Sequence, residues 1–122
     1  MFKVAVLSLF GLIILSVQGI SLTGKKYNNS FTKCQDLQNP GTLEANVRYN
    51  DSDVRDEVYI LLPEKGDFKR PISCIKVIDN SSYNASEVVI VQGGLNHQFA
   101  IFKIYIHSIL ADYDYTFQIY TR

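Results

Sequence analysis

His107-Ser108 with Asp112 close behind has the residue types of a hydrolase triad, and it is the first place to look for chemistry. The spacing does not support it. Neighbours on one strand point to opposite faces, and the G-x-S-x-G turn that would lift the serine out of a sheet is missing. Asn50, Asp51, Asp53, Asp56 and Glu57 gather amide and carboxylate oxygens as a calcium loop does. However, the glycine needed at the sixth position is absent and Arg55 falls at a ligand position. A solvated, glycosylated turn is the better reading of that segment. His97 and His107 are isolated and there is no C-x-x-C, so no zinc site is expected. Asp112-Tyr113-Asp114-Tyr115 surrounds tyrosine with acid, as sulfated tyrosines of exported proteins are surrounded; the plainer reading is a polar loop leading into the last strand. The sequence implies no catalytic residue, no metal and no cofactor.

The remaining chemistry concerns the compartment. Residues 1–19 begin with a positive charge at Lys3, run through an almost unbroken apolar stretch of 14 residues (4–17) and close on Gln18-Gly19, the pattern of a secretory signal peptide. That stretch is short of the ~20 residues needed to span a bilayer as a helix. Cleavage after Gly19 leaves a single domain, 20–122, with no membrane association expected after cleavage. Lys25-Lys26 near the new terminus is a possible processing site, although an exposed charge pair is the commoner role.

Four N-x-Ser sequons, at Asn28, Asn50, Asn80 and Asn84, agree with export, since chance at this Asn and Ser/Thr content would supply about one. They lie in polar stretches assigned to loops, and the turn 80–86 is the favoured place for glycan. Cys34 and Cys74 are the only cysteines and remain after cleavage, so in an oxidising compartment they form one disulfide.

The whole chain has 122 residues, with 12 basic and 12 acidic side chains and 47% hydrophobic content. That is room for one domain with a core, and a net charge of zero gives no field toward nucleic acid. From 72 to 122, 23 of 51 residues are Val, Ile, Phe, Tyr or Thr and only two are Leu, a bias toward strands. Residues 99–107 alternate cleanly, with Ala100, Phe102, Ile104 and Ile106 forming the core face. Tyr115, Phe117 and Ile119 repeat the pattern in a final strand.

Further strands are expected at 72–78, 58–62 and 43–49, the last alternating Leu43, Ala45, Val47 and Tyr49. Residues 88–91 read as a strand buried on both faces before a Gly93-Gly94 turn. Residues 21–40 form an extended lead-in tied down by Cys34, with one further short strand around 27–31. Residues 108–114 read as a loop or single helical turn in which Ile109, Leu110 and Ala111 cap a sheet. The fold class is therefore all-β: an antiparallel sandwich or open barrel of five to seven short strands with one disulfide.

Ile72-x-x-Ile75-x-Val77-x-Asp79, Tyr83-x-Ala85, the run 88–91 into Gly93-Gly94, the alternating strand up to Ser108 and the terminal Phe117-x-Ile119-Tyr120 together resemble the insect multiprotein bridging factor two family over the last 51 residues. The resemblance implies a small, signal-bearing, β-rich secreted protein, in a family named for transcriptional coactivation and without assigned catalytic residues. Asn96 stands where a third glycine is expected, and Ile109-Leu110-Ala111-Asp112 replaces a basic Arg-Gly turn. Both differences fall in loops that would carry a shared partner surface. The sequence thus points to a secreted, non-enzymatic interaction protein of extracellular or secretory fluid, acting on a protein or small ligand. The alternatives are a transcription coactivator, without direct nucleic-acid binding, and a carrier of a small apolar ligand.

Overall fold

A computed structural model describes residues 29–54, 56–81, 85–107 and 111–122, without the Asp53 side chain. The leader 1–19, Lys25-Lys26, Asn28, Asn84 and Ser108, Ile109 and Leu110 lie outside the described residues. Those described form an all-β fold of seven strands with no helix. In chain order they are β1 (Phe31–Cys34), β2 (Thr42–Val54), β3 (Val58–Leu62), β4 (Ile72–Asp79), β5 (Ser86–Gly93), β6 (Ala100–Ile106) and β7 (Ala111–Thr121). They make two antiparallel sheets, β1-β4-β7-β2 and β3-β6-β5.

The two segments with the strongest alternation are interior strands. β7 lies between β4 and β2, and β6 between β3 and β5, so each has a ladder on both sides and one face to bury. Tyr115, Phe117 and Ile119 on β7 and Ala100, Phe102 and Ile104 on β6 are fully buried, which bears out the assigned core faces. Phe102 meets Phe117 across the sandwich with ring centroids 4.8 Å apart. Ile75 and Val77 complete the core from β4, and Phe68, on the β3–β4 connection, closes its side. The buried Ser86 hydroxyl and Tyr115 hydroxyl, 2.8 Å apart, add a polar tie between the sheets. Burial pushes the Tyr115 phenol up to about 12.

Edge strands depart from the expected pattern. In β5, Val88 is buried, Val89 and Ile90 are half-buried and Val91 is 45% exposed, so this strand is not buried on both faces. The reason is its position: β5 is the edge of a sheet with another layer on one side only, and Val91 is the extra residue where the register slips between Ile90 and Gln92. In β2 a similar slip at Glu44 takes Leu43 out of phase with Ala45, Val47 and Tyr49 and leaves it exposed. β2 also runs through Asn50, Asp51 and Ser52, residues read as a turn, because Asn50 and Asp51 continue the ladder to Asp114 and Tyr113 and Val54 resumes it at Ala111 after a register shift. For the same reason 111–114 is strand, not loop, and the buried Ala111 starts β7. Gly41 brings the start of β2 onto the last strand; at φ +109°, a Cβ there would sit 2.4 Å from the Thr121 carbonyl oxygen.

Cys34 and Cys74 are directly opposite in the β1–β4 ladder and are disulfide-bonded, closing a 40-residue separation. In the chain-entropy picture such a loop stabilises the fold by about 4 kcal/mol. The end of the sandwich nearest this bond is tied further. The Gln35 amide donates to the Ser73 carbonyl at 2.9 Å, the Ser73 hydroxyl to the Pro40 carbonyl at 2.5 Å, and the Arg122 guanidinium to the Asn39 carbonyl.

Replacing both Cys34 and Cys74 by Ala should lower stability by roughly 2–4 kcal/mol, measured as a shift of the urea midpoint at unchanged slope. An unchanged midpoint would show that the crosslink constrains nothing. Phe102→Asp or Ile104→Asp should abolish folding, because an unpaired core carboxylate costs several kcal/mol against a total of about 5–15. Lys103→Gln, on the outward face of the same strand, should leave a cooperative melt. The reverse order of sensitivity would invert the face assignment by one residue.

Candidate functional site

Two surfaces stand out, and they differ in chemistry. The first is a polar cleft of about 480 Å³ at one end of the sandwich, where β2 and β4 finish and β7 begins. Its walls carry Asn50, Asp51 and Ser52 from β2, Asn80 and Ser81 beyond β4, and Asp112, Tyr113 and Asp114 from β7. Asp114 organises it. Its carboxylate accepts two hydrogen bonds from Arg48, Nε at 2.8 Å and Nη2 at 2.5 Å, and a third from Asn80 Nδ2 at 3.1 Å. Asn80 Nδ2 also donates to Thr116 Oγ1 at 2.9 Å, and its backbone amide to the Asp114 carbonyl at 2.8 Å.

The Arg48 hydrogen bonds hold the Asp114 carboxyl below its ordinary range, against partial burial, with Asn80 helping. Tyr113 is 7% exposed, so its ring belongs to the wall and is closed to a modifying enzyme, unlike the sulfated loop tyrosine that its acidic neighbours suggest. Burial, followed by the Asp51 charge, raises its pKa. Close by, the buried Asp79 carboxylate accepts from the Asn29 amide at 3.1 Å and from the Ser81 amide and hydroxyl at 2.9 and 2.6 Å. The Asp79 amide donates to Ser30 Oγ at 2.8 Å.

Of the acidic and amide residues 50–57, Asn50 and Asp51 line this cleft, while Glu57 pairs with Lys103 of the other sheet. Among the described residues there is no group of three His, Cys, Asp or Glu side chains placed to hold a metal ion. His107 stands apart from the cleft, with its amide on the Ala85 carbonyl and its ring 3.8 Å from Glu87. Two more apolar clefts, about 260 Å³ beside Phe31 and Val88 and about 180 Å³ beside Leu61 and Phe99, are smaller than the ~300–1,000 Å³ usual for small-molecule pockets. The sheets fill the space between them with their own side chains.

The second surface is the outer face of the β3-β6-β5 sheet. Tyr59 and Leu61 of β3 are 55% and 49% exposed, and beside them lie Ile101, Lys103 and Tyr105 of β6 and Val89 of β5. Lys103 Nζ sits over the Tyr105 and Tyr59 rings, 4.7 and 5.5 Å from their centroids, and reaches Glu57 at 3.1 Å. Hydrogen bonding to Glu57 raises the Lys103 pKa, so the face carries a fixed cation within an apolar field. The outer face of the larger sheet is more polar, with Asn46, Arg48, Lys76, Thr116 and Gln118 around an exposed Ile78 and a half-buried Tyr120. This asymmetry escaped the sequence reading, although the outward set of 99–107 already contained Ile101 and Tyr105.

No family model matches the chain, and no curated protein and no solved structure matches it. The resemblance to the insect bridging-factor family therefore rests on the residues quoted for it. The fold and its surfaces define a disulfide-stapled β-sandwich with a polar cleft at one end and one apolar outer face. The disulfide, together with the lack of any helix among the described residues long and apolar enough to cross a membrane, is compatible with an extracellular protein.

A carboxyl held below its unfolded pKa of ~3.9 stabilises the fold above that value and ceases to as pH falls through the lower folded pKa. Asp114→Asn should therefore flatten the decline of stability from about pH 4 downward, read from urea midpoints at pH 7, 4 and 2.5. The loss of stability at pH 7, and with it the extent of the flattening, should be modest, because Arg48 is 62% exposed and solvent screens the pair. Acid limbs that superimpose would remove Asp114 from the titrating groups that matter.

Proposed function

We propose that this chain is a secreted, non-enzymatic binding protein of extracellular or secretory fluid, and that it recognises another protein through the outer face of the β3-β6-β5 sheet. The observation that carries the reading is the contrast between the two outer faces: one is mostly polar around an exposed Ile78, and the other exposes Tyr59 and Leu61 beside half-buried Ile101 and Tyr105. Contiguous exposed apolar surface of this kind marks interaction sites more often than chance packing. Lys103 in the middle of the face is paired with Glu57, and Glu87 at the β5 edge lies 3.8 Å from the His107 ring, so the complementary partner is mainly apolar and needs no strong charge of either sign. Three strands of this length give a footprint of roughly 14 by 23 Å, below the ~800 Å² per partner of a stable interface. That size fits a transient complex.

Export is supported by the leader, the cysteine pair and the sequons. The coactivator alternative has the family resemblance as its support and requires the chain to escape the export route. A carrier role would need one of the small outer clefts to hold the ligand.

Protein from its native source should begin at Ile20 and lie outside cells. A photo-crosslinking residue placed at Leu61 should capture one partner in the fluid that contains the protein, and one placed at Ile78, exposed on the opposite outer face, should not. Ile101→Lys should abolish the Leu61 adduct. Equal capture from both positions would reject the face, and an intact Met1 terminus on nuclear protein would replace the secreted reading with the coactivator one.

A further inference from the structure

We propose that, of the two sequon asparagines on the polar cleft, Asn50 is the one that carries glycan in the folded protein, and that Asn80 is a network residue that the fold requires unmodified. The inference rests on the secreted reading, because only an exported chain meets the sugar donor. Strands β2 and β4 flank β7, and this brings two sequons 30 positions apart in sequence onto one cleft. Asn29 and Ala85, the described neighbours of the other two sequon asparagines, lie near the same end: Asn29 bonds to Asp79 and to the Ser86 carbonyl, and Ala85 adjoins Ser86.

Asn50 and Asn80 differ in what their amide nitrogens already do. A carboxamide nitrogen has two hydrogens, and those of Asn80 go to Asp114 Oδ1 and Thr116 Oγ1. Asn50 is exposed, lies opposite Asp114 in the ladder, and its side chain makes no hydrogen bond among the described residues.

In the transfer, the amide nitrogen attacks the anomeric carbon of a lipid-pyrophosphate-linked oligosaccharide. One N–C bond forms, the C–O bond to pyrophosphate breaks, the lipid pyrophosphate departs and the amide loses one proton. The product amide keeps a single N–H. At Asn80 that hydrogen serves Asp114 or Thr116 but not both, and the sugar must leave through the gap between them. At Asn50 nothing is given up. Attachment precedes folding, and the fold then selects among the glycoforms: glycan at Asn50 leaves the Arg48–Asp114–Asn80 network free to close and passes into the secreted protein, whereas glycan at Asn80 hinders that closure.

The test expresses the full chain in a glycosylating secretory host and maps occupancy site by site, with Ser52→Ala and Ser82→Ala removing each sequon while keeping its asparagine. Asn50 should be occupied in the secreted protein, and Asn80 less so. Ser52→Ala should leave Tm within about 2 °C, and any Asn80-glycosylated fraction should melt roughly 4–8 °C below the Ser82→Ala protein. In sugar-free protein, Asn80→Ala should lower Tm by a similar amount and Asn50→Ala should not. Full occupancy of Asn80 with a melt equal to that of Ser82→Ala, or a bare Asn50 on protein whose terminus is Ile20, would overturn the inference alone. Sugar-free protein with Met1 intact would overturn it together with the secreted reading.

Discussion

The fold depends on the contact between Phe102 and Phe117, the aromatic pair that joins the two sheets at their interior strands. Each ring lies on a strand with a hydrogen-bonded neighbour on both sides, so its position fixes the register of a whole sheet relative to the other. With those strands set, Ile75, Ile104, Tyr115 and Ile119 have one place to go, and the remaining elements are arranged around them. Among the described strands, β1, β2, β3 and β5 are edges, each with a ladder on a single side. Their departures from regular geometry follow from that lower constraint.

The same distinction explains what could be read from the sequence. Residues 99–107 and 115–120 were legible because an interior strand under a single layer must alternate, and the alternation is a direct record of its environment. β5 carries the strongest β-forming run, Val88 to Val91, yet a continuous apolar run does not distinguish a doubly buried strand from an edge with an apolar outer face. The extension of β2 through Asn50, Asp51 and Ser52 was illegible for the opposite reason. These residues have poor strand propensity, and the ladder to β7 overrides it. Bulges at Glu44 and Val91 shift the phase by one residue, which no periodic template anticipates. The disulfide was legible from composition alone, since two cysteines admit one pairing.

Of the surfaces, the acidic and amide residues of the cleft were visible as a group, but their roles were not. Proximity in sequence suggested a solvated, glycosylated turn, the likeness to a calcium loop failing on its missing glycine and on Arg55. The structure instead uses Asp114 to join Arg48 of β2, Asn80 beyond β4 and its own strand into one hydrogen-bonded unit. The apolar outer face was harder to see, because its members come from three strands separated by long connections and each taken singly is an ordinary exposed residue. Only the sheet order places Leu61 beside Ile101 and Tyr59 beside Lys103.

The position of the disulfide has a consequence for how copies of the chain can meet. A four-residue edge strand, joined to the rest of the described fold by one short ladder, is the described element that two molecules could most cheaply exchange, each inserting its β1 beside the other's β4. Cys34 is the last residue of that strand and is bonded to the residue opposite it within its own chain. The crosslink, while it is intact, therefore closes the route to a dimer formed by exchange of β1.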